Sequence, residues 1–171
     1  MRAHPSHYAS RLGIHLVVLS VLAASFPAAP SIQARERAGS RLQENLHAYT
    51  SSHDGVTLYM RVIYPDGGTN RPIIAVMHGY SGAMEHVYAA QEILANRGLF
   101  TVAPAMRGRD GSGGVPDDSA WELTDIVDAI EAVKQLYPAE TDEDNVNLLG
   151  YSGGGGNVFG CLSKFPDTFR F

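Results

Sequence analysis

The chain has 171 residues, 44% of them hydrophobic, and a formal net charge of −5 from 13 basic and 18 acidic side chains, the size and composition of one globular domain. The acidic balance and the lack of a basic cluster make the chain a poor partner for nucleic acid or anionic lipid, so no nucleic acid is expected among its partners. Cys161 is the only cysteine, which excludes an intramolecular disulfide and leaves stability to the core.

Residues 1–34 carry Arg2 and Arg11 and no acid, and an uncharged run over 16–26 precedes Pro27 and the small residues Ala28, Ala29 and Ala34. This is the pattern of a secretory signal peptide cleaved after Ala34, because the apolar run is too short to span a bilayer alone. The expected location is secreted or periplasmic, with no stable membrane insertion after cleavage; an uncleaved anchor is the alternative. Loss of 1–34 leaves 11 basic against 18 acidic side chains, a formal charge of −7.

A polar linker is expected over 35–45. Strands are predicted over 46–52 and 56–64, separated by His53-Asp54-Gly55, a hairpin signal that places an antiparallel pair at one edge of a sheet. Pro65-Asp66-Gly67-Gly68 breaks the second strand. Ile73-Ile74-Ala75-Val76-Met77 is a continuous apolar run, the pattern of a strand buried on both faces. It ends in His78-Gly79-Tyr80-Ser81-Gly82. The spacing of Val87, Ala90 and Leu94 predicts a helix over 85–97, stopped by Gly98, and 99–103 is the next buried strand. A long polar loop over 104–118 carries Arg107, Arg109 and several glycines; loops of that length usually lie near a site.

Ser119 and Glu122 have the spacing of a capping box. The helix they open has Leu123, Ile126, Val127, Ile130 and Val133 as its apolar stripe, with Glu122, Asp125, Asp128 and Glu131 expected to face water. Pro138 ends it. A solvated acidic turn is expected over 141–145, with calcium ligation by Asp142, Glu143 and Asp144 as the alternative, although nothing else of an EF-hand loop is present. A short buried strand over 145–149 and a helix over 157–164 follow, with Cys161 on that helix as a small buried apolar group. Alternating strands and helices after an antiparallel start imply an α/β fold. Its sheet is mostly parallel and covered on both faces, with functional loops at the C-terminal ends of the strands. No metal cluster or redox cofactor motif is visible.

Between that last strand and helix, Gly150-Tyr151-Ser152-Gly153-Gly154 fits G-x-S-x-G. A strand that turns straight into a helix strains the residue at the corner and crowds positions two before and two after it, which suits Gly150 and Gly154. Ser152 is then exposed at a helix N-terminus beside the free amide of Gly153, a place for a nucleophile and its oxyanion. A phosphate-cradling loop and a purely structural packing turn are the alternatives. Against a nucleotide loop, neither G-x-x-x-x-G-K-[ST] nor G-x-G-x-x-G is present at this turn.

Three segments taken together, His78 to Gly82, Met106 to Gly114 and Gly150 to Gly154, each falling after a predicted strand, resemble the corresponding segments of α/β-hydrolases. More narrowly, they resemble the prolyl-oligopeptidase-like (S9-type) branch of secreted serine hydrolases. The likeness runs over 46–171. It implies an α/β-hydrolase three-layer sandwich with a mostly parallel sheet and an antiparallel N-terminal strand pair, of which 46–171 is the N-terminal part, truncated after the nucleophile-elbow helix. It implies Ser152 as nucleophile, with the backbone N–H groups of Gly153 and Tyr80 as oxyanion donors, each contributing roughly 3 kcal/mol. His78 is implied to hold its loop rather than to act as base. Arg107 and Arg109 are expected to fix their loop through salt bridges, a substrate carboxylate being the alternative partner.

The family orders its triad Ser, then Asp or Glu, then His. After Ser152 this sequence has one acid, Asp167, in the turn after the helix, and no histidine. The triad acid and histidine are therefore absent from this chain, and the chain alone is expected to be inactive, with 168–171 entering a further strand. The implied activity is cleavage of an ester or peptide bond through an acyl-enzyme on Ser152, with no cofactor or metal, on a small ester, an acylated glycan or a peptide. A non-catalytic binding protein on a degenerate hydrolase fold is the alternative.

Overall fold

The computed structural model describes residues 41–117 and 119–170; the region read as a signal peptide, and all of the expected linker before residue 41, lie outside them. The elements are β1 (Leu42–Thr50), β2 (Thr57–Pro65), β3 (Arg71–Met77), a 3-10 turn (Met84–Val87) leading into α1 (Tyr88–Ala95), β4 (Phe100–Pro104), α2 (Glu122–Leu136), β5 (Thr141–Gly150) and α3 (Gly153–Lys164). The strands form one five-stranded sheet in the order β1-β2-β4-β3-β5. β1 and β2 are the antiparallel edge pair that the hairpin signal predicts, in unbroken register from Leu42 opposite Pro65 to Thr50 opposite Thr57. β2 also runs against β4, whereas β4, β3 and β5 are parallel. β1 takes in Leu42, Gln43, Glu44 and Asn45, the end of the expected linker. Because β2 offers partners as far as Pro65, pairing satisfies backbone groups that a linker would leave to water.

The period-2 alternation of the inner strands divides the core between two faces. Ile73, Ala75, Met77, Phe100 and Val102 face α2 and α3, packing against Ile126, Ile130, Val133 and Cys161. Ile74, Val76 and Ala103 face the other way, onto Met84 and Val87 and the half-buried Ala90 and Leu94 of α1. The result is a sheet covered on both sides. Gly98, at φ +93, closes α1 as expected: its N–H donates to Ala95 O and that of Leu99 to Leu94 O. The helix is shorter than its periodicity suggests, because its first turn is the 3-10 segment.

Two expectations about α2 are corrected. Ser119 is not its cap: it sits at φ +77, and its hydroxyl donates to Asn157 Oδ1 at 2.7 Å. The Asp117 carboxylate caps instead, accepting from the N–H groups of Ala120, Trp121 and Glu122 at 2.9–3.3 Å. An ionised acceptor that reaches several orphan N–H groups of the first turn, and also opposes the helix dipole, displaces a hydroxyl that reaches one. Nor do Glu122 and Asp125 face water; they are 2% and 1% exposed. Each is buried with an arginine from the 104–118 loop. Arg107 donates to both Asp125 oxygens, at 2.7 and 3.0 Å, and reaches Asp54 Oδ2 at 3.0 Å and Ser51 Oγ at 3.2 Å. Arg109 donates to Glu122 Oε1 at 2.8 Å. The hydrogen bonds to Asp125, followed by those to Asp54, hold the Arg107 guanidinium protonated well above its usual range. Arg107 in turn lowers the pKa of Asp54.

The acidic segment over 141–145 is also strand rather than turn. Thr141 and Asp142 pair with Arg71 and Pro72, and pairing resumes at Val146 opposite Ile73, so Glu143, Asp144 and Asn145 form a bulge within β5. β5 is the outer strand of the described sheet, and Leu149 is exposed, so this strand is less buried than its apolar composition suggests. Beyond α3, Phe169 is buried in the core and the Arg170 N–H donates to Val146 O at 2.9 Å, but residues 168–170 form no strand. Among the described residues no helix is long and apolar enough to cross a membrane.

Cys161 is fully buried, and burial pushes its thiol from 9.0 up to about 12. The native thiol is therefore expected to resist alkylation at pH 8 and to react only after urea unfolding. Since the unfolded thiol ionises first, this site's contribution to stability is complete below pH 9 and falls as pH rises towards 12, which denaturation across that range measures. For the Arg107–Asp125 pair, Asp125→Ala leaves a buried guanidinium short of its main partner and is expected to cost about 3–5 kcal/mol in urea unfolding. Joint replacement by Met and Leu should cost much less.

Candidate active site

The corner between β5 and α3 has the geometry that the glycine spacing predicts. Ser152 adopts φ 55 and ψ −117, a conformation that costs a residue with a side chain roughly 1–3 kcal/mol, and it is exposed. The corner is held on β3: the Tyr151 N–H donates to Met77 O at 3.1 Å. A Cβ at Gly150 would run into the carbonyl of Gly154, and one at Gly154 into the carbonyls of Met77 and His78. Only hydrogen fits at either position.

Gly153 opens α3, so its N–H has no partner within the helix. A Cβ on Gly153 would stand 2.7 Å from the backbone nitrogen of Tyr80. The helix start and the 78–82 segment therefore touch backbone to backbone. Among the described residues neither the Gly153 nor the Tyr80 amide donates to a protein acceptor. Gly79 lies against the serine as well: a side chain there would approach Ser152 Cβ to 3.4 Å and Oγ to 3.8 Å. The structure thus brings Ser152, Gly153 and Tyr80 together: an exposed hydroxyl, two uncommitted amides and the positive end of a helix. That set is suited to an oxygen that gains negative charge.

His78 is 2% exposed, with Nδ1 2.8 Å from Gly79 O and Nε2 3.2 Å from Ala105 O. Each ring nitrogen faces a backbone carbonyl, and the one that carries the proton can donate, so His78 fastens its own loop near the end of β4. Arg107 lies in the ion-pair cluster beneath the loop, away from solvent. Arg109 is paired with Glu122 and also lies over the Tyr80 ring, 5.2 Å from its centroid.

Two clefts flank the Gly79–Tyr80 segment. One, of about 300 Å³, is lined by Tyr80, Gly153, Met106, Arg109, Glu122 and Asn157 among others; the other, of about 290 Å³, is lined by Ser152, Tyr80, Tyr151, Ser81 and His86 among others. Ser152 thus lines one cleft and its neighbour Gly153 the other. Among the described residues, no three His, Cys, Asp or Glu side chains gather closely enough to hold a metal ion.

Sequence reasoning missed the polar floor of the first cleft. There Ser119 Oγ donates to Asn157 Oδ1, and Asn157 Nδ2 lies 3.4 Å from Glu122 Oε2. A signal was present for Glu122 alone, which stands one turn before the stripe residue Ile126, at i, i+4 spacing.

A family model described as X-Pro dipeptidyl-peptidase (S15 family) matches residues 54–169. Solved structures share the fold. An esterase from Pyrococcus furiosus is 19% identical with a TM-score of 0.64, over 86% of this chain and 55% of that one. The acylaminoacyl peptidase of Pyrococcus horikoshii is 20% identical with a TM-score of 0.65, over 82% of this chain and 24% of that one. A putative alpha/beta hydrolase from Agrobacterium tumefaciens is 26% identical with a TM-score of 0.60, over 73% of this chain and 56% of that one. This chain therefore spans little more than half of these proteins, or less. No curated protein matches it. The expected α/β-hydrolase fold is thus found.

Alanine substitutions separate the glycines by mechanism. Gly154→Ala is expected to cost about 3 kcal/mol or more, because backbone rather than a flexible side chain stands in the way. A Cβ at Gly155 meets nothing closer than 3.7 Å, so Gly155→Ala is expected to stabilise the helix by up to about 1 kcal/mol. Chemical denaturation of the two variants checks both signs.

Proposed function

The chain belongs to the X-Pro dipeptidyl-peptidase (S15) family, and on that premise we propose that it supplies the nucleophile half of a serine hydrolase acting on an ester or peptide bond. The observation that carries this reading is the strained, exposed Ser152 at φ 55 beside two uncommitted amides. Strain is kept where the surroundings enforce it and function uses it, which favours an enzyme over a degenerate binding fold.

On this reading Ser152 Oγ attacks the substrate carbonyl and gives up its proton to a base. The carbonyl oxygen becomes an oxyanion that accepts from the Gly153 and Tyr80 N–H groups. Collapse of the tetrahedral species breaks the bond to the leaving group, which takes the proton, and leaves an acyl group on Ser152. Water then repeats the sequence and releases the acid. The two clefts on either side of Gly79 and Tyr80 suit the two ends of a substrate whose carbonyl lies between them. His78 contacts backbone carbonyls and makes no hydrogen bond to Ser152, and where the family's order places the triad histidine, after the serine, this sequence has none. We therefore assign the triad acid and histidine to polypeptide other than these residues, and the chain alone to an inactive state.

Peptides are the favoured substrates, supported by the family description; a small ester or an acylated glycan is the other class, supported by the esterase fold likeness. The S9-type, prolyl-oligopeptidase-like branch has the fold likeness to the acylaminoacyl peptidase as its support, and the matching family model favours the S15 type. The pattern of residues 1–34 supports a secreted or periplasmic location without stable membrane insertion, and the acidic charge disfavours nucleic acid.

A fluorophosphonate probe applied to the complete polypeptide that carries this chain and a histidine base is expected to label Ser152, as read by peptide mass. Ser152→Ala should abolish labelling and lower turnover at least roughly a thousandfold. Failure to label Ser152 would refute the nucleophile. Turnover by the 171-residue chain alone, lost in Ser152→Ala, would refute the assignment of the base elsewhere.

A further inference from the structure

We propose that Arg109 is a positioning residue for the oxyanion donor at Tyr80: clamped by Glu122, its guanidinium lies over the Tyr80 ring and fixes the segment that presents the Tyr80 amide. The inference rests on the roles given above to Ser152 and Tyr80. The 78–82 segment is fastened at its ends. The His78 ring contacts Ala105 O, the Gly82 N–H donates to Gly79 O at 2.8 Å, and the Asp110 carboxylate accepts from the Met84 N–H at 2.7 Å. Its middle rests on Gly153 along the backbone, but the Tyr80 side chain is 55% exposed and its N–H is free among the described residues. The Arg109 guanidinium, 5.2 Å from the ring centroid, is the charged group that covers it.

Arg109 is itself well held. It donates to Glu122 at 2.8 Å, and the two side chains are 12% and 3% exposed. Glu122 opens α2, and its other oxygen lies 3.4 Å from the Asn157 amide of α3. The guanidinium is thereby tied to the helix that also supplies the Gly153 amide. A planar cation over an aromatic face, partly withdrawn from water, holds the ring in one place. Both oxyanion donors are then referred to one frame: Gly153 directly through α3, and Tyr80 through Arg109, Glu122 and Asn157.

The test is the fluorophosphonate reaction of the complete polypeptide, resolved into the maximal labelling rate kinact and the half-saturating concentration KI. Arg109→Ala is expected to lower kinact roughly tenfold, since the donor is misplaced only where the phosphonyl oxygen develops charge, with KI within about twofold. Arg109→Lys, which keeps a cation near both the Glu122 carboxylate and the ring, should recover most of the rate. If the alanine variant does not fold, Arg109→Gln takes its place, with the same loss of rate expected. Wild-type kinact in the variant lacking the guanidinium, a change in KI instead, or a lysine variant no faster than alanine would overturn the proposal. A wild-type protein that is not labelled at Ser152 would instead remove the reading on which it rests.

Discussion

The corner where β5 turns into α3 packs against the end of β3 with no room for a single carbon atom. The carbonyls of Met77 and His78 occupy the space beside Gly154, and the Gly154 carbonyl occupies the space beside Gly150. This contact fixes three things at once. It forces the intervening Ser152 into positive φ and out to solvent. It aims the start of α3 at the segment that leaves β3. It also sets the Gly153 Cα against the Tyr80 nitrogen. The candidate site thus rests first on backbone packing between two parallel neighbouring strands and the helix that follows the second of them. A strained corner of this kind persists because the sheet and helix around it overdetermine the path of the chain.

The second organising element is electrostatic. The buried side of α2 carries two carboxylates that only a matched cation makes tolerable away from water, and the 104–118 loop supplies both cations. Arg107 gathers Asp125, Asp54 and Ser51, joining α2 to the β1–β2 hairpin, while Arg109 takes Glu122 and covers Tyr80. The same loop is tied by backbone to β2, through Gly113 N–H to Thr57 O at 2.8 Å. A segment that is long and polar in sequence is therefore part of the interior, and it forms one wall of the cleft beside the Gly153 amide. Fold stability and site geometry draw on the same arginines.

Much of this was legible in the residues. The apolar run at Ile73 to Met77, the hairpin at His53-Asp54-Gly55 and the corner at Gly150 to Gly154 each follow from local chemistry that allows few alternatives, and each is found. The misreadings share a physical origin: they concern polar groups whose partners lie far away in sequence. Ser119 and Glu122 have capping-box spacing, yet Asp117 offers the first turn of α2 a stronger acceptor, and Glu122 is drawn to Arg109. The acids at 142–144 look like a turn, yet the long β3 edge allows pairing on both sides of a bulge. Spacing within one element does not reveal a charge that arrives from another. The cleft floor at Asn157 and Ser119, built from two elements, was hidden for the same reason.

The central claim is that the Ser152 hydroxyl stands where the Tyr80 and Gly153 amides can share one developing negative charge. A crystal structure of the complete polypeptide after phosphonylation tests it most directly. The account predicts the phosphorus on Ser152 Oγ, with one non-bridging oxygen about 3 Å from both amide nitrogens. An adduct whose oxygen points into solvent, or meets only one of those amides, would contradict it.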